Sequence, residues 1–166
     1  KSMPPKPNPL FSVIPPAYNE GGKIYDNILR VCETLSEHNF EIVVVDDGSA
    51  DNTYSEAKRA EVDGYPVRAI LQEENLGKGA TLFHGFEFTS GERIAFLDAD
   101  LEIAPEYLLS MLKVLDDTNA DIVAGIKDMS ENQFPWLRRM MSKTYKRSVA
   151  FLFGLSISDT QTGIKL

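Results

Sequence analysis

Residues 41–49 read Glu-Ile-Val-Val-Val-Asp-Asp-Gly-Ser, and the change of character after Val45 decides the fold. Glu41–Val45 reads as a buried strand, its Ile42 to Val45 an unbroken β-branched run with no polar alternation. Both faces of such a strand must be covered, as in a parallel sheet packed between helices. The Asp-Asp-Gly-Ser that follows is turn chemistry, placed where a parallel strand hands over to its crossover helix.

The same alternation recurs on either side of this stretch. Upstream, Leu10–Ile14 is a short apolar run stopped by Pro15-Pro16, which a strand interior does not tolerate. Gly21-Gly22 then lead into a helix whose Ile24, Ile28, Val31, Cys32 and Leu35 share one face. Downstream, Asp51 can cap a helix from Thr53 to about Val62. Pro66–Leu71 reads as a strand, Gly79–Phe88 as a helix with Phe83 and Phe86 turned inward, and Arg93–Leu97 as a strand. Pro105 suits the first turn of a helix through Leu115. A strand at Asp121–Ala124 and a helix from about Trp136 to Phe153 complete the order. This β-α-β-α succession predicts an α/β fold, an open, mostly parallel sheet with helices on both faces. Residues 1–9 are Pro-rich and aperiodic and read as a disordered tail. Residues 10–166 read as one domain.

Composition narrows the function classes. The 166 residues include 17 basic and 25 acidic ones, a net charge of −8, which argues against general nucleic-acid binding. Cys32 is the only cysteine, so no internal disulfide forms, and its apolar neighbours mark it as a small core residue. The two histidines, His38 and His84, lack metal-ligand spacing. No apolar run approaches the roughly 18 residues of a membrane span, and the N-terminus has no signal-peptide pattern.

In open α/β sheets ligands bind at the carboxyl ends of the strands. Every expected strand here ends in a polar or Gly-rich segment: Pro-Pro-Ala-Tyr-Asn-Glu (15–20), Asp46-Asp47-Gly48-Ser49, Asn75-Leu76-Gly77-Lys78-Gly79, Asp98-Ala99-Asp100-Leu101-Glu102, and Gly125-Ile126-Lys127-Asp128. The strand starts are blander. Asp98 and Asp100, one residue apart at a strand end, can approach one hard cation such as Mg2+ or Mn2+, with Glu102 as a third carboxylate. A solvated acidic turn is the competing reading. Lys78 and the Gly-rich backbone beside it suit a phosphate at a helix start. Neither the P-loop spacing nor a G-x-G-x-x-G is present.

The first four of these segments, together with Asp-Thr-Gln-Thr-Gly-Ile-Lys (159–165), resemble family 2 glycosyltransferases of the GT-A (Rossmann-like) fold, closest to the polyprenyl- and dolichyl-phosphate mannose or glucose synthase branch. The resemblance covers roughly residues 10–166. It implies that Pro16, Ala17, Tyr18 and Glu20 line the nucleotide pocket, with Asp47 near the base and Lys78 on the phosphates. Asp98, Asp100 and Glu102 would hold the metal and the sugar-nucleotide diphosphate. Asp159 and Gln161 would lie near the donor sugar or the acceptor phosphate. Lys127 takes the place where relatives often carry an acceptor-binding arginine.

From Pro135 to Ser158 the chain carries five basic residues, among them Arg138 and Arg139, and no acidic ones. A basic amphipathic helix suits a membrane surface or a phosphate acceptor; a core helix with a solvated basic face is the plainer reading. The expected activity is therefore metal-dependent, inverting transfer of a hexose from a nucleotide-diphosphate sugar (UDP-glucose or GDP-mannose type) to a polyprenyl phosphate, at the cytoplasmic face of a membrane. A family 2 transferase acting on a saccharide hydroxyl, with Asp159 as base, is the main alternative. A sugar nucleotidyltransferase would carry a G-x-x-x-R loop after the first strand, which is missing, and a non-catalytic nucleotide-binding module remains a third reading. Relatives continue beyond the Asp-Thr-Gln-Thr-Gly segment, so 166 residues read as the catalytic core of a longer chain.

Overall fold

The structure, a computed structural model, describes residues 11–118, 120–125 and 164–165. The chain divides into two compact units, Lys1–Val123 with Gly163–Leu166, and Ala124–Thr162. Only Ala124 and Gly125 of the second are described.

In the first unit, β1 (Phe11–Ile14) lies between two longer parallel neighbours. It pairs Phe11 with Phe40 of β3 (Phe40–Asp46) on one side and with Arg93 of β5 (Arg93–Leu97) on the other. β4 (Val67–Leu71) pairs in parallel with β3. β6 (Ile164–Lys165) runs antiparallel to β5, with Ile164 opposite Leu97. β2 (Pro16–Ala17) keeps the register of β1 on β3, since Pro16 faces Val45. β1 and β2 are thus one strand interrupted at Pro15. β1 ends at Ile14, as expected, and the pairing resumes for two residues at Pro16, which was not expected. Pro15 offers its carbonyl to the Val45 N–H (3.3 Å) and Ala17 offers its own to the Asp47 N–H (2.9 Å), so Pro15 still contributes an acceptor to the pairing although it has no N–H to donate.

Two apolar layers flank the sheet, set by the alternation of β3. Ile42 and Val44 face the larger cluster with α1 (Ile24–Thr34), α2 (Thr53–Val62) and α4 (Glu106–Thr118), through Ile24, Ile28, Ala57, Leu108 and Leu112. Val43 and Val45 face the other side with Ile14, and Leu82 of α3 (Lys78–Phe86) packs there. Each fully buried Ile, Val or Leu contributes about 1.5–3 kcal/mol. α1 and α2 carry the chain from β1 outward to β4 on one face. α3 carries it back across β3 and β1 to β5 on the opposite face, as right-handed crossovers require when the direction reverses.

α3 corrects a second expectation. Phe83 and Phe86 point outward, 70% and 52% exposed. The face against the sheet is built from Thr81 and Gly85. A Cβ on Gly85 would lie 2.6 Å from Ile14 Cγ2 and 2.9 Å from Val45 Cγ2, so close approach of the helix backbone excludes a larger residue. The strand expected over 121–124 is reduced to a one-residue bridge at Ala124. The expected helix from Trp136 to Phe153 lies outside the described residues.

Candidate functional site

Because β3 and β4 lie to one side of β1 and β5 to the other, the loops at their carboxyl ends part above β1. This is the topological switch point at which open α/β sheets bind ligands. A cleft of about 360 Å3 occupies it, lined from all four loops: Pro16, Ala17, Tyr18 and Glu20 after β1, Asp47 after β3, Asn75, Gly77, Lys78 and Thr81 after β4, and Asp98, Ala99 and Asp100 after β5.

The loop after β2 is tied to the loop after β3 by side chains. Asn19 sits in the left-handed region (φ 56°), which Asn tolerates better than most residues. Its N–H donates to Ser49 Oγ (2.8 Å) and its Oδ1 accepts from the Ala50 N–H (3.0 Å). The Glu20 N–H donates to Thr53 Oγ1, and the Gly21 N–H to Asp51 Oδ2 (2.9 Å). Asp51 also accepts from the Thr53 N–H and hydroxyl. Hydrogen bonds from Thr53 first, and then from the Gly21 N–H, hold the Asp51 carboxyl below the usual carboxylate range. Asp51 is therefore a clamp between two loops as well as a support for the start of α2, where Asn52 occupies the cap position without a side-chain bond. Gly21 packs closely at this junction, and a Cβ there would press on the Asn52 and Asp51 side chains, which would have to shift.

The two aspartates after β3 are both buried. Asp46 accepts from the Ser49 N–H and hydroxyl. Asp47 accepts from the Leu76 N–H (2.8 Å) on one oxygen and from the Gly77 N–H (3.0 Å) on the other. It thus shapes the Asn75–Lys78 loop from below while lining the cleft. Gly48 (φ 68°) completes the turn; a Cβ there would sit 2.8 Å from the Asn75 N.

The aspartates after β5 are more open: Asp98 is half-buried and Asp100 exposed. Lys78 Nζ, at the start of α3, reaches across the cleft to an ion pair with Asp98. The Leu101 N–H donates to the Asp98 carbonyl (3.1 Å), and Leu101 itself takes a left-handed φ of 52°. The Glu102 N–H donates to Asp100 Oδ1 (3.0 Å), and Asn27 Nδ2 donates to the Ala99 carbonyl (2.8 Å). Asp98 and Asp100 both line the cleft, whereas Glu102 does not. No group of three carboxylate, histidine or cysteine ligands gathers among the described residues. Two carboxylates facing an open cleft still suit Mg2+ or Mn2+, which is commonly held by one or two carboxylates plus substrate phosphates.

Eight residues singled out from sequence, Pro16, Ala17, Tyr18, Glu20, Asp47, Lys78, Asp98 and Asp100, thus meet in one cleft. Lys127, Arg138, Arg139, Asp159 and Gln161 lie outside the described residues. Sequence reasoning missed Thr81, whose hydroxyl bonds the Gly77 carbonyl (2.9 Å), and Asn27; a threonine and an asparagine inside helices gave no signal of their own. Among the described residues no helix is long and apolar enough to cross a membrane.

Comparison with known proteins agrees with this geometry. The family model described as glycosyl transferase family 2 matches residues 12–165. An undecaprenyl-phosphate 4-deoxy-4-formamido-L-arabinose transferase of Pseudomonas syringae is 34% identical over 161 residues, covering 95% of this chain and 47% of that protein. A dolichol-phosphate mannosyltransferase of Pyrococcus furiosus is 33% identical over 135 residues, 80% of this chain and 38% of that protein. The chain thus spans about half or less of the length of these curated relatives. A mannosyltransferase of Pyrobaculum calidifontis, solved in complex with GDP-Man and Mn2+, superposes with a TM-score of 0.63 at 28% identity, over 75% of this chain and 37% of that one. Mannosyl-3-phosphoglycerate synthase of Rubrobacter xylanophilus, at 20% identity and a TM-score of 0.69 over 95% of this chain and 53% of that one, shares the fold. The sheet order, the cleft at its switch point and these matches lead to one conclusion: the chain has the GT-A fold and belongs to glycosyl transferase family 2.

Proposed function

We propose that this chain is the donor-binding core of an inverting glycosyltransferase that moves a hexose from a UDP- or GDP-linked donor to a polyprenyl phosphate at the cytoplasmic face of a membrane. The observation that carries the reading is the convergence of Asp98 and Asp100 with Lys78 and the Gly77 loop in one cleft at the switch point. That combination offers carboxylates for a cation and a cation for phosphate. The undecaprenyl-phosphate and dolichol-phosphate relatives support a lipid-phosphate acceptor. The neighbour solved with GDP-Man and Mn2+ supports a metal-assisted sugar-nucleotide donor.

In this reading the base and ribose lie against Pro16–Tyr18, Glu20 and the Asp47 shelf, and Lys78 exchanges Asp98 for the diphosphate. Asp98 and Asp100 would hold the cation. Bound Mg2+ or Mn2+ supplies Lewis-acid stabilisation of the departing nucleoside diphosphate. An acceptor phosphate is already anionic near neutral pH, with a second pKa of about 6, so attack on the anomeric carbon needs alignment more than a strong base. Lys127, Arg138 and Arg139 are the groups proposed to receive that phosphate. Asp159 and Gln161 are assigned to the donor sugar.

The test is calorimetry with UDP and GDP, each with and without Mn2+. Wild-type binding should strengthen with Mn2+, and Asp98→Asn or Asp100→Asn should remove that gain. Equal affinities with and without the metal in all three proteins would overturn the reading. A donor screen against a short polyprenyl phosphate then identifies base and sugar.

A further inference from the structure

α1 reaches the Asp98-Ala99-Asp100 turn through Asn27. Its Nδ2 donates to the Ala99 carbonyl at 2.8 Å, linking residues 72 apart in sequence. Ala99 stands between the two cleft carboxylates and is only 4% exposed. The last paired residue of β5 is Leu97, so the Ala99 carbonyl has passed beyond the sheet, and a buried carbonyl needs a partner. Asn27 supplies it from a helix fixed by the burial of Ile24, Ile28 and Val31. Asparagine is a poor residue for a helix interior because it competes for backbone bonds. Here its amide is committed to another element.

The turn has its own bonds, Leu101 N–H to the Asp98 carbonyl and Glu102 N–H to Asp100 Oδ1. Those set its shape. They leave open how the turn as a body is oriented over the sheet, and the left-handed Leu101 gives it a tendency to relax. The bond from Asn27 acts from outside the turn, on the peptide between the two carboxylates. Asn27 does not itself line the cleft. We propose that Asn27 is a positioning residue: by holding the Ala99 carbonyl it aims Asp98 and Asp100 together into the cleft and so sets how well that pair shares a divalent cation with a nucleoside diphosphate. The inference rests on the donor-site reading above.

The experiment is calorimetry of UDP and GDP binding, with Mn2+ and with a chelator, to wild type, Asn27→Leu, Asn27→Ala and Asp100→Asn, with thermal unfolding of each. Leucine keeps the branching of Asn27 and removes the donor without adding charge; the smaller alanine variant serves if the bulkier leucine variant does not fold. The expected result is a loss of about tenfold in Mn2+-dependent affinity, the low end for partners that orient metal ligands, with metal-free affinity within about twofold of wild type. An unchanged ratio of the two affinities, or an equal fall in both, would overturn the proposal and leave Asn27 as a carbonyl partner only. Asp100→Asn separates the two ideas. If it abolishes metal dependence while Asn27→Leu and Asn27→Ala retain it, positioning fails and the donor site stands. If Asp100→Asn retains full metal dependence, the donor site fails and the positioning role falls with it.

Discussion

The strands that flank β1 each end in two aspartates, and the two pairs do opposite things. After β3, Asp46 and Asp47 are buried and their oxygens accept from Ser49, Leu76 and Gly77. After β5, Asp98 and Asp100 remain open to the cleft, with Lys78 as the cation beside the first. The difference arises from spacing and from what folds over each pair. Adjacent aspartates point to opposite sides of the chain and are consumed by neighbouring backbone, whereas aspartates two apart share a side. One pair builds the cleft and the other equips it.

The sharpest way to break this contrast is to compare Asp100→Asn with Asp47→Ala. Asp100→Asn should abolish Mn2+-dependent nucleotide binding and leave the thermal midpoint nearly unchanged. Asp47→Ala should cost about 2–4 kcal/mol of stability in denaturant unfolding, because two loop N–H groups lose a buried acceptor. Similar stability losses in the two variants would erase the distinction. Lys78→Met should weaken metal-free UDP or GDP binding by about tenfold, the scale of one charge-assisted hydrogen bond, while Mn2+ alone binds more tightly as Asp98 loses its internal partner. Equilibrium dialysis with Mn2+ checks the second half of that expectation.

A smaller effect belongs to Asp51. Its folded pKa is depressed, so its contribution is present above the unfolded value of about 3.9 and disappears as pH falls through the lower folded value. Asp51→Asn should lower stability at neutral pH and flatten the acid limb of the stability profile, so that the variant and wild type converge below the folded value. The smallest concerns Cys32, whose thiol burial pushes up from 9.0 to about 11. Its raised value makes the folded state lose stability as pH climbs from 9.0 towards 11, and alkylation at pH 8 should require unfolding.

Much of this arrangement was legible in the sequence because it follows from periodicity and from what ends each strand. Ile42–Val45 demanded a doubly covered strand, and the polar segments at the strand ends marked the cleft. The errors have physical causes. The spacing of Phe83 and Phe86 defines a helical face without saying which face is inward. Gly85 carried the answer, since only a bare backbone fits against Ile14 and Val45. Asp51 looked like a helix cap because a local pattern cannot show that Gly21 will arrive from 30 residues away. Nor can a local pattern show that Asp47, besides lining the cleft, holds Leu76 and Gly77, which the return of β4 alongside β3 brings to it.

The bonds that run between loops have one more consequence. Asn19 to Ala50 and Ser49, Gly21 to Asp51, and Asp47 to Leu76 and Gly77 join three segments that are distant in sequence. The residues after β3 that take part, Asp47 to Asp51, are consecutive, so loosening that loop loosens all of these bonds. The amide protons of Gly21, Ala50, Leu76 and Gly77 are therefore expected to exchange with solvent as one cooperative group, so that the floor of the cleft behaves as a single unit of local unfolding.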